Sequence, residues 1–132
     1  MHGPNWSNTV IFLTYDEHGG YFDHVPPPAA CLPDDIPPDL QAGDEPGAFD
    51  RYGIRVPMVA VSPFSKKAFV SHVTYDHTSI LRFIENRFDL PALTNRDANA
   101  DPMLDLFDFE NPPFVTPPRL PDAVINPRKA CP

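Results

Sequence analysis

Two carboxylates, an imidazole and a glycine pair stand side by side at Asp16-Glu17-His18-Gly19-Gly20, and Asp23-His24 follow after two aromatic residues. Carboxylate oxygens suit hard or borderline divalent cations. A histidine beside them can ligate a metal, protonate a leaving alkoxide or donate a hydrogen bond to phosphate. Adjacent side chains on an extended strand point to opposite faces, so Asp16 and Glu17 serve one cation only if the chain turns there. Gly19-Gly20 supplies the freedom to turn. The competing reading is a polar loop that merely stops a strand. A second candidate is His77, at the start of the clearest helix, where free N–H groups favour anions. There the alternative is a capping loop with His77 exposed.

The elements that must position these groups follow from the apolar runs. Val10–Leu13 is β-branched and aromatic and reads as a buried strand. Its polar tip then falls where open α/β sheets place their ligand sites. Pro57 cannot donate to a ladder, so Met58–Val61 reads as a second short buried strand with Pro57 at its start or edge. Ala68–Val73 reads as a third strand or an extended segment. Asp76 or Thr78 caps a helix whose core face is Ile80, Leu81, Phe83, Ile84 and Phe88, ending at Asp89-Leu90-Pro91. Asp97–Phe107 holds a second short helix with Met103, Leu104, Leu106 and Phe107 inward. Between the strands, Ala29–Tyr52 is an acidic excursion without periodicity, either a lid or binding loop or a solvated insertion.

Bulk properties narrow the classes. The 132 residues make one small domain. Nineteen prolines, far above the usual ~5%, predict long irregular segments. A net charge of −8 argues against a nucleic-acid partner, which needs clustered Lys and Arg. A phosphate-ester substrate stays open, because a bound metal can supply positive charge. No apolar run approaches the ~20 residues of a membrane span. The amino terminus carries no basic region followed by an apolar segment, so no signal peptide is expected in this chain. Cys31 and Cys131 are equally consistent with a disulfide and with free thiols.

The segment TYDEHGGYFDHVPPP resembles the signature of the bacterial phosphoesterase family that contains non-haemolytic-type phospholipases C and related acid phosphatases, within the alkaline-phosphatase-like superfamily. The resemblance continues through RVPMVAVSPFSKKAFVSHVTYDHTSILRFIENRFDLPALTNRDANADPMLDLFDF, from about Trp6 to Phe109. It implies an α/β fold, the C-terminal portion of an alkaline-phosphatase-like sheet flanked by helices, with long Pro-rich loops. It implies metal-dependent hydrolysis of a phosphate ester or phospholipid, with a divalent metal ion as cofactor. Carried over residue by residue, Asp16 and Glu17 are metal ligands, His18 and His77 catalytic, and Asp23 and His24 substrate-binding. Family members are often secreted or periplasmic.

The family pattern also has an earlier acidic-Asn motif and a Ser or Thr nucleophile, and only 15 residues precede Asp16. Glu85-Asn86-Arg87-Phe88-Asp89 resembles that early motif superficially, but it continues the helix after His77 and reads as structural. The chain is therefore expected to be a single partial phosphoesterase domain with no nucleophile of its own. Its parts are 1–28 (strand and metal-site motif), 29–52 (acidic loop), 53–109 (strand-helix-helix core) and 110–132 (Pro-rich tail). Exposed sheet edges then predict an oligomer or association with the missing N-terminal half. The alternative is a non-catalytic metal-binding or interaction module derived from the same fold.

Overall fold

The computed structural model describes residues 3–32, 34, 39–45 and 47–122. Strand β1 (Ile11–Thr14) pairs with β2 (Met58–Val61), and the helices are α1 (His77–Phe88) and α2 (Asn95–Ala98). Single 3-10 turns at Trp6–Asn8 and Leu104–Leu106 complete the regular structure. The two strands run antiparallel, with Ile11 opposite Val61, Phe12 opposite Ala60, Leu13 opposite Val59 and Thr14 opposite Met58. The fold is thus mixed α/β at the scale of a two-stranded ribbon.

The strands are not buried on both faces, as their apolar runs suggest. They alternate, because successive side chains point to opposite sides. Phe12 and Thr14 turn inward, whereas Ile11, Leu13 and Val59 are 50%, 63% and 51% exposed. Nothing among the described residues covers that outer face. The segment 68–73 forms no strand. Ala68 instead adopts a left-handed backbone at φ +51°.

Helix α1 starts where expected. The Asp76 carboxylate accepts from the N–H groups of Thr78 (2.6 Å) and Ser79 (3.2 Å), and Ser79 Oγ accepts from Asp76 N–H. This reciprocal capping box satisfies otherwise orphaned first-turn donors. The helix ends at Asp89 in the left-handed region, two residues before Pro91. Its inward face differs from the expected one. Ser79 and Glu85 are buried and Ile80 and Phe83 half-buried, while Leu81, Ile84 and Phe88 are exposed. Helix α2 occupies only Asn95–Ala98, capped by Thr94 and Asp97. Met103 and Phe107 do pack inward beyond it, but Leu104 stays exposed.

The core is an aromatic cluster. Phe12 meets Phe83 edge-on at 5.1 Å between centroids, and Phe107 lies 5.4 Å from Phe83 and 5.5 Å from Phe109. Trp6 is buried nearby and donates from its indole to the Phe114 carbonyl at 2.8 Å, while Phe114 N–H donates to the Pro63 carbonyl at 3.0 Å. The Pro-rich tail is therefore fastened at least to Phe114. Before α1, Ser71 and Tyr75 both donate to Asp105. Burial and the Asp105 carboxylate push the Tyr75 hydroxyl up to about 12.

The excursion 29–52 forms no helix or strand among its described residues. It closes on itself through an isolated bridge between Ala29 and Arg51, with Ala30 N–H to the Asp50 carbonyl at 2.8 Å. Cys31 donates weakly to the Asn95 carbonyl at 3.5 Å. Cys131 lies outside the described residues, and with it the pairing of the two cysteines.

Phe107→Ala removes the ring that joins β1, α1 and the 107–109 segment, and should cost about 3–5 kcal/mol. Leu13→Asp, on the uncovered sheet face, should change stability by no more than about 0.5 kcal/mol. Urea unfolding of both variants checks this, and a larger loss from Leu13→Asp than from Phe107→Ala would refute the placement of the core.

Candidate functional site

β1 ends at Thr14, and the chain then turns over Asp16–Gly20. The turn requires glycine twice: Gly19 sits at φ +67° and Gly20 at +75°. A Cβ on Gly19 would also press on the Tyr21 ring at 3.3 Å. Glu17 Oε2 accepts the Gly19 N–H at 2.9 Å, and Tyr21 N–H donates to the His18 carbonyl at 3.2 Å. Asp16 and Glu17 are exposed at the outer edge of this turn, and His18 is half-buried beneath it.

Both candidate catalytic histidines have one ring nitrogen fixed by a backbone carbonyl. His18 Nδ1 lies 3.1 Å from the Tyr21 carbonyl, and His77 Nε2 lies 2.8 Å from the Tyr15 carbonyl. A carbonyl only accepts, so His18 carries its proton on Nδ1 and His77 on Nε2. That leaves His18 Nε2 and His77 Nδ1 for chemistry. The His77 contact joins the start of α1 directly to the tip of β1, across 62 positions of sequence.

A cleft of about 440 Å³ opens beside the turn. It is lined by His18, Tyr21, Phe22 and Asp23 on one side and by residues 54–57 on the other. Asp23 and Arg55 close it with a bidentate pair, Nε to Oδ2 and Nη2 to Oδ1, each at 2.8 Å. Val25 N–H adds a third bond to the same carboxylate at 3.0 Å. These donors, Arg55 first, hold the Asp23 carboxyl far below the usual carboxylate range, and the pair raises Arg55 in turn. Arg55 has no counterpart in the sequence reading. Its signal was its place at the head of the RVPMVAV block, but a partner 32 positions away cannot be read from pattern.

The structure thus brings His77 to the tip of β1, and His18 and Asp23 into one cleft. His24 is 83% exposed, 3.8 Å from Asp23, and outside the cleft lining. Asp16, Glu17 and His77 also lie outside that lining. Among the described residues no group of three or more His, Cys, Asp or Glu side chains gathers to hold a metal ion. The donor set here does not amount to a complete divalent centre, because two adjacent carboxylates leave most of a cation's coordination unfilled.

Residues 1–91 match the Phosphoesterase family, and the chain belongs to it. It is 41% identical to non-specific phospholipase C6 of Arabidopsis thaliana over 74% of its length, which covers 20% of that protein. It is 37% identical to phospholipase C B of Mycobacterium tuberculosis, with 92% of the chain and 25% of the relative aligned. Against the non-hemolytic phospholipase C of Burkholderia pseudomallei it is 39% identical, with 89% and 19% aligned. The chain spans about a fifth to a quarter of these relatives.

Arg55→Met removes two donors from Asp23 and should bring its carboxyl back up toward the ordinary aspartate range. The sign is set by the downward shift: the pair contributes stability above that range and loses it as pH falls through the lowered folded value. The ¹³Cγ titration of Asp23 in both forms tests this, and an unmoved midpoint would refute the assignment.

Proposed function

We propose that this chain forms part of the active site of a phosphate-ester hydrolase, a phospholipase C-like phosphodiesterase or an acid-phosphatase-type monoesterase. The observation that carries the reading is the fixed tautomer of His18 at the mouth of the cleft. With Nδ1–H bound to a carbonyl, Nε2 is the atom that gains and loses a proton. As an imidazolium it protonates the departing alkoxide, and as a neutral ring it accepts a proton from an attacking hydroxyl. The relatives named as phospholipases C make a phospholipid the favoured substrate.

His77 supports the reaction from the tip of β1, where its Nε2 is held on the Tyr15 carbonyl and Nδ1 is the nitrogen left for a phosphoryl oxygen. Asp23 acts on substrate through Arg55. Its own oxygens are occupied, whereas Arg55, which lines the cleft, keeps N–H donors that Asp23 does not use, suited to a phosphate diester. His24 is then the outermost polar contact, reaching a headgroup rather than the phosphorus. Asp16 and Glu17 are proposed as this chain's share of a divalent-cation site that other residues complete, and no step is derived through that cation. No residue of the chain is assigned as nucleophile.

The architecture fits the same proposal. β1, β2 and α1 make the C-terminal portion of an alkaline-phosphatase-like domain, whose sheet would continue beyond the two strands described. The uncovered face of Ile11, Leu13 and Val59 is where such a domain would meet this part. It is also the observation that favours the second reading, an interaction module without catalysis.

The test is a chimera in which this chain replaces the matching region of the Mycobacterium tuberculosis phospholipase C B. A folded chimera should hydrolyse a chromogenic phosphocholine ester, and His18→Ala should lower kcat about 10²–10⁴-fold. Arg87→Ala, on the solvent side of α1, should leave it unchanged. A folded chimera without activity, or one indifferent to His18→Ala, favours the interaction module. In parallel, calorimetric titration of divalent cations into the chimera should lose its signal in Asp16→Ala/Glu17→Ala.

A further inference from the structure

Asp105 lies in the 3-10 turn Leu104–Leu106, between two core residues, Met103 and Phe107, that are 1% and 4% exposed. The turn is also bonded to the chain that leaves β2. Lys66 N–H donates to the Leu106 carbonyl at 2.9 Å, and Asp108 N–H to the Phe64 carbonyl at 2.8 Å. Asp105 therefore stands on a fixed base. Its partners lie in the lead-in to α1, residues 71–75, which forms no helix or strand. His72, Val73 and Thr74 are exposed there, so burial holds little of the lead-in in place. Its two ends are held by polar bonds instead. Ser71 Oγ donates to Asp105 Oδ2 at 2.6 Å, the Tyr75 hydroxyl donates to Asp105 Oδ1, and the two hydroxyl oxygens lie 2.7 Å apart.

Tyr75 is followed at once by Asp76, the cap of α1, and by His77, whose Nε2 meets the Tyr15 carbonyl at 2.8 Å. We propose that, granted the role proposed for His77, Asp105 is its positioning residue: by gripping Ser71 and Tyr75 it fixes the start of α1 against the tip of β1, and with it the His77 ring and its free Nδ1. Asp105 does not line the cleft and acts only through the lead-in.

The need for a second hold follows from leverage. Apolar packing fixes α1 at Phe83, six residues and about 9 Å along the axis from His77. A tilt of about 10° around that ring would carry the helix start by about 1.5 Å at this arm length, which breaks a hydrogen bond. Apolar contact is non-directional and resists such a tilt poorly. The Tyr75 hydroxyl acts at the far end of the lever, two residues from His77. Its acceptor is charged, and hydrogen bonds to an ionised group are shorter and stronger than neutral ones. Burial alone would raise the Asp105 carboxyl, but the Ser71 hydroxyl and then the Tyr75 hydroxyl hold it below its ordinary value.

Nuclear magnetic resonance on the full chain reads the placement of His77 without substrate. In the wild type the His77 ring should show Overhauser contacts to the backbone protons of Tyr15 and Asp16. Tyr75→Phe keeps the aromatic ring and removes only its bond to Asp105, and Asp105→Ala removes both bonds. Both variants should lose the His77 contacts, while the Phe12–Phe83 contact and the Trp6 indole N–H signal persist as marks of an intact core. The proposal is overturned if the wild type lacks the His77 contacts, if Tyr75→Phe keeps them, or if the core marks vanish with them. Should Asp105→Ala fail to fold, Tyr75→Phe decides. In the chimera, Tyr75→Phe should lower kcat by up to about 10²-fold, the cost of a misplacement on the order of 1 Å. It should lower it no further in the presence of His77→Ala, because both act on one group. Additive losses would also overturn the proposal. A chimera inactive in every form counts against the proposed function alone, and the ring contacts then decide whether Asp105 places His77.

Discussion

The contact on which the rest of the structure depends is the edge-on packing of Phe12 against Phe83. β1 turns a single aromatic ring inward, and that ring fixes where α1 lies. Phe83 stands six residues into the helix, roughly 9 Å along its axis from His77 at 1.5 Å per residue. Once Phe83 is docked on the strand, the start of α1 arrives at the strand's tip. The 2.8 Å contact between His77 and the Tyr15 carbonyl is its consequence. A polar geometry that chemistry would need is thus set by apolar packing nearly two helical turns away. Phe107, touching the same ring pair, keeps the arrangement from pivoting.

A two-stranded ribbon has one face to spend on this packing. Among the described residues the buried hydrophobic ones are Trp6, Ala100, Met103 and Phe107, with Pro63, and beside them lie buried Ser62, Ser79, Glu85 and Asp97. The interior is therefore held as much by capped helix starts as by apolar contact. Ser79 and Asp97 each close a capping box, which lets them be buried without stranding a polar group. Glu85 has no such role, and its buried oxygen stands out for that reason. The outer sheet face shows the same shortage from the other side, with three aliphatic residues left half-exposed or more.

What could be read from sequence follows from the range of each interaction. The helix start at Asp76 and its stop before Pro91 rest on residues within a few positions of each other, and both are found in place. The strand at Val10–Leu13 is found one residue further on, because apolar, β-branched runs show themselves locally. Burial did not follow, since it depends on what covers each face. A continuous apolar run predicts two covered faces, and Ile11 and Leu13 have one uncovered. Phe88 failed as a core residue for the same reason: it is in helical phase, yet it is 63% exposed. The candidate site divides similarly. The Asp16–Gly20 turn was legible in its glycines. The pairing of Asp23 with Arg55 and the hold of Asn95 and Arg96 on the excursion join positions tens of residues apart, and no local pattern encodes them.

The polar residues at the tip of β1 are best understood by asking which of their atoms the fold consumes. Glu17 spends one oxygen on the Gly19 N–H, and Asp23 spends both on Arg55 and Val25. His18 and His77 each spend one nitrogen on a carbonyl. These commitments fix the turn, and they also orient what is left over. A histidine held through Nδ1 can present only Nε2, and an arginine gripped through one edge can offer only its remaining donors. A loop built merely to stop a strand needs the first set of bonds and gains nothing from orienting the second. Here the unspent His18 nitrogen and the unspent Arg55 donors belong to residues lining the same cleft. That convergence brings two segments, 18–23 and 54–57, to one cleft.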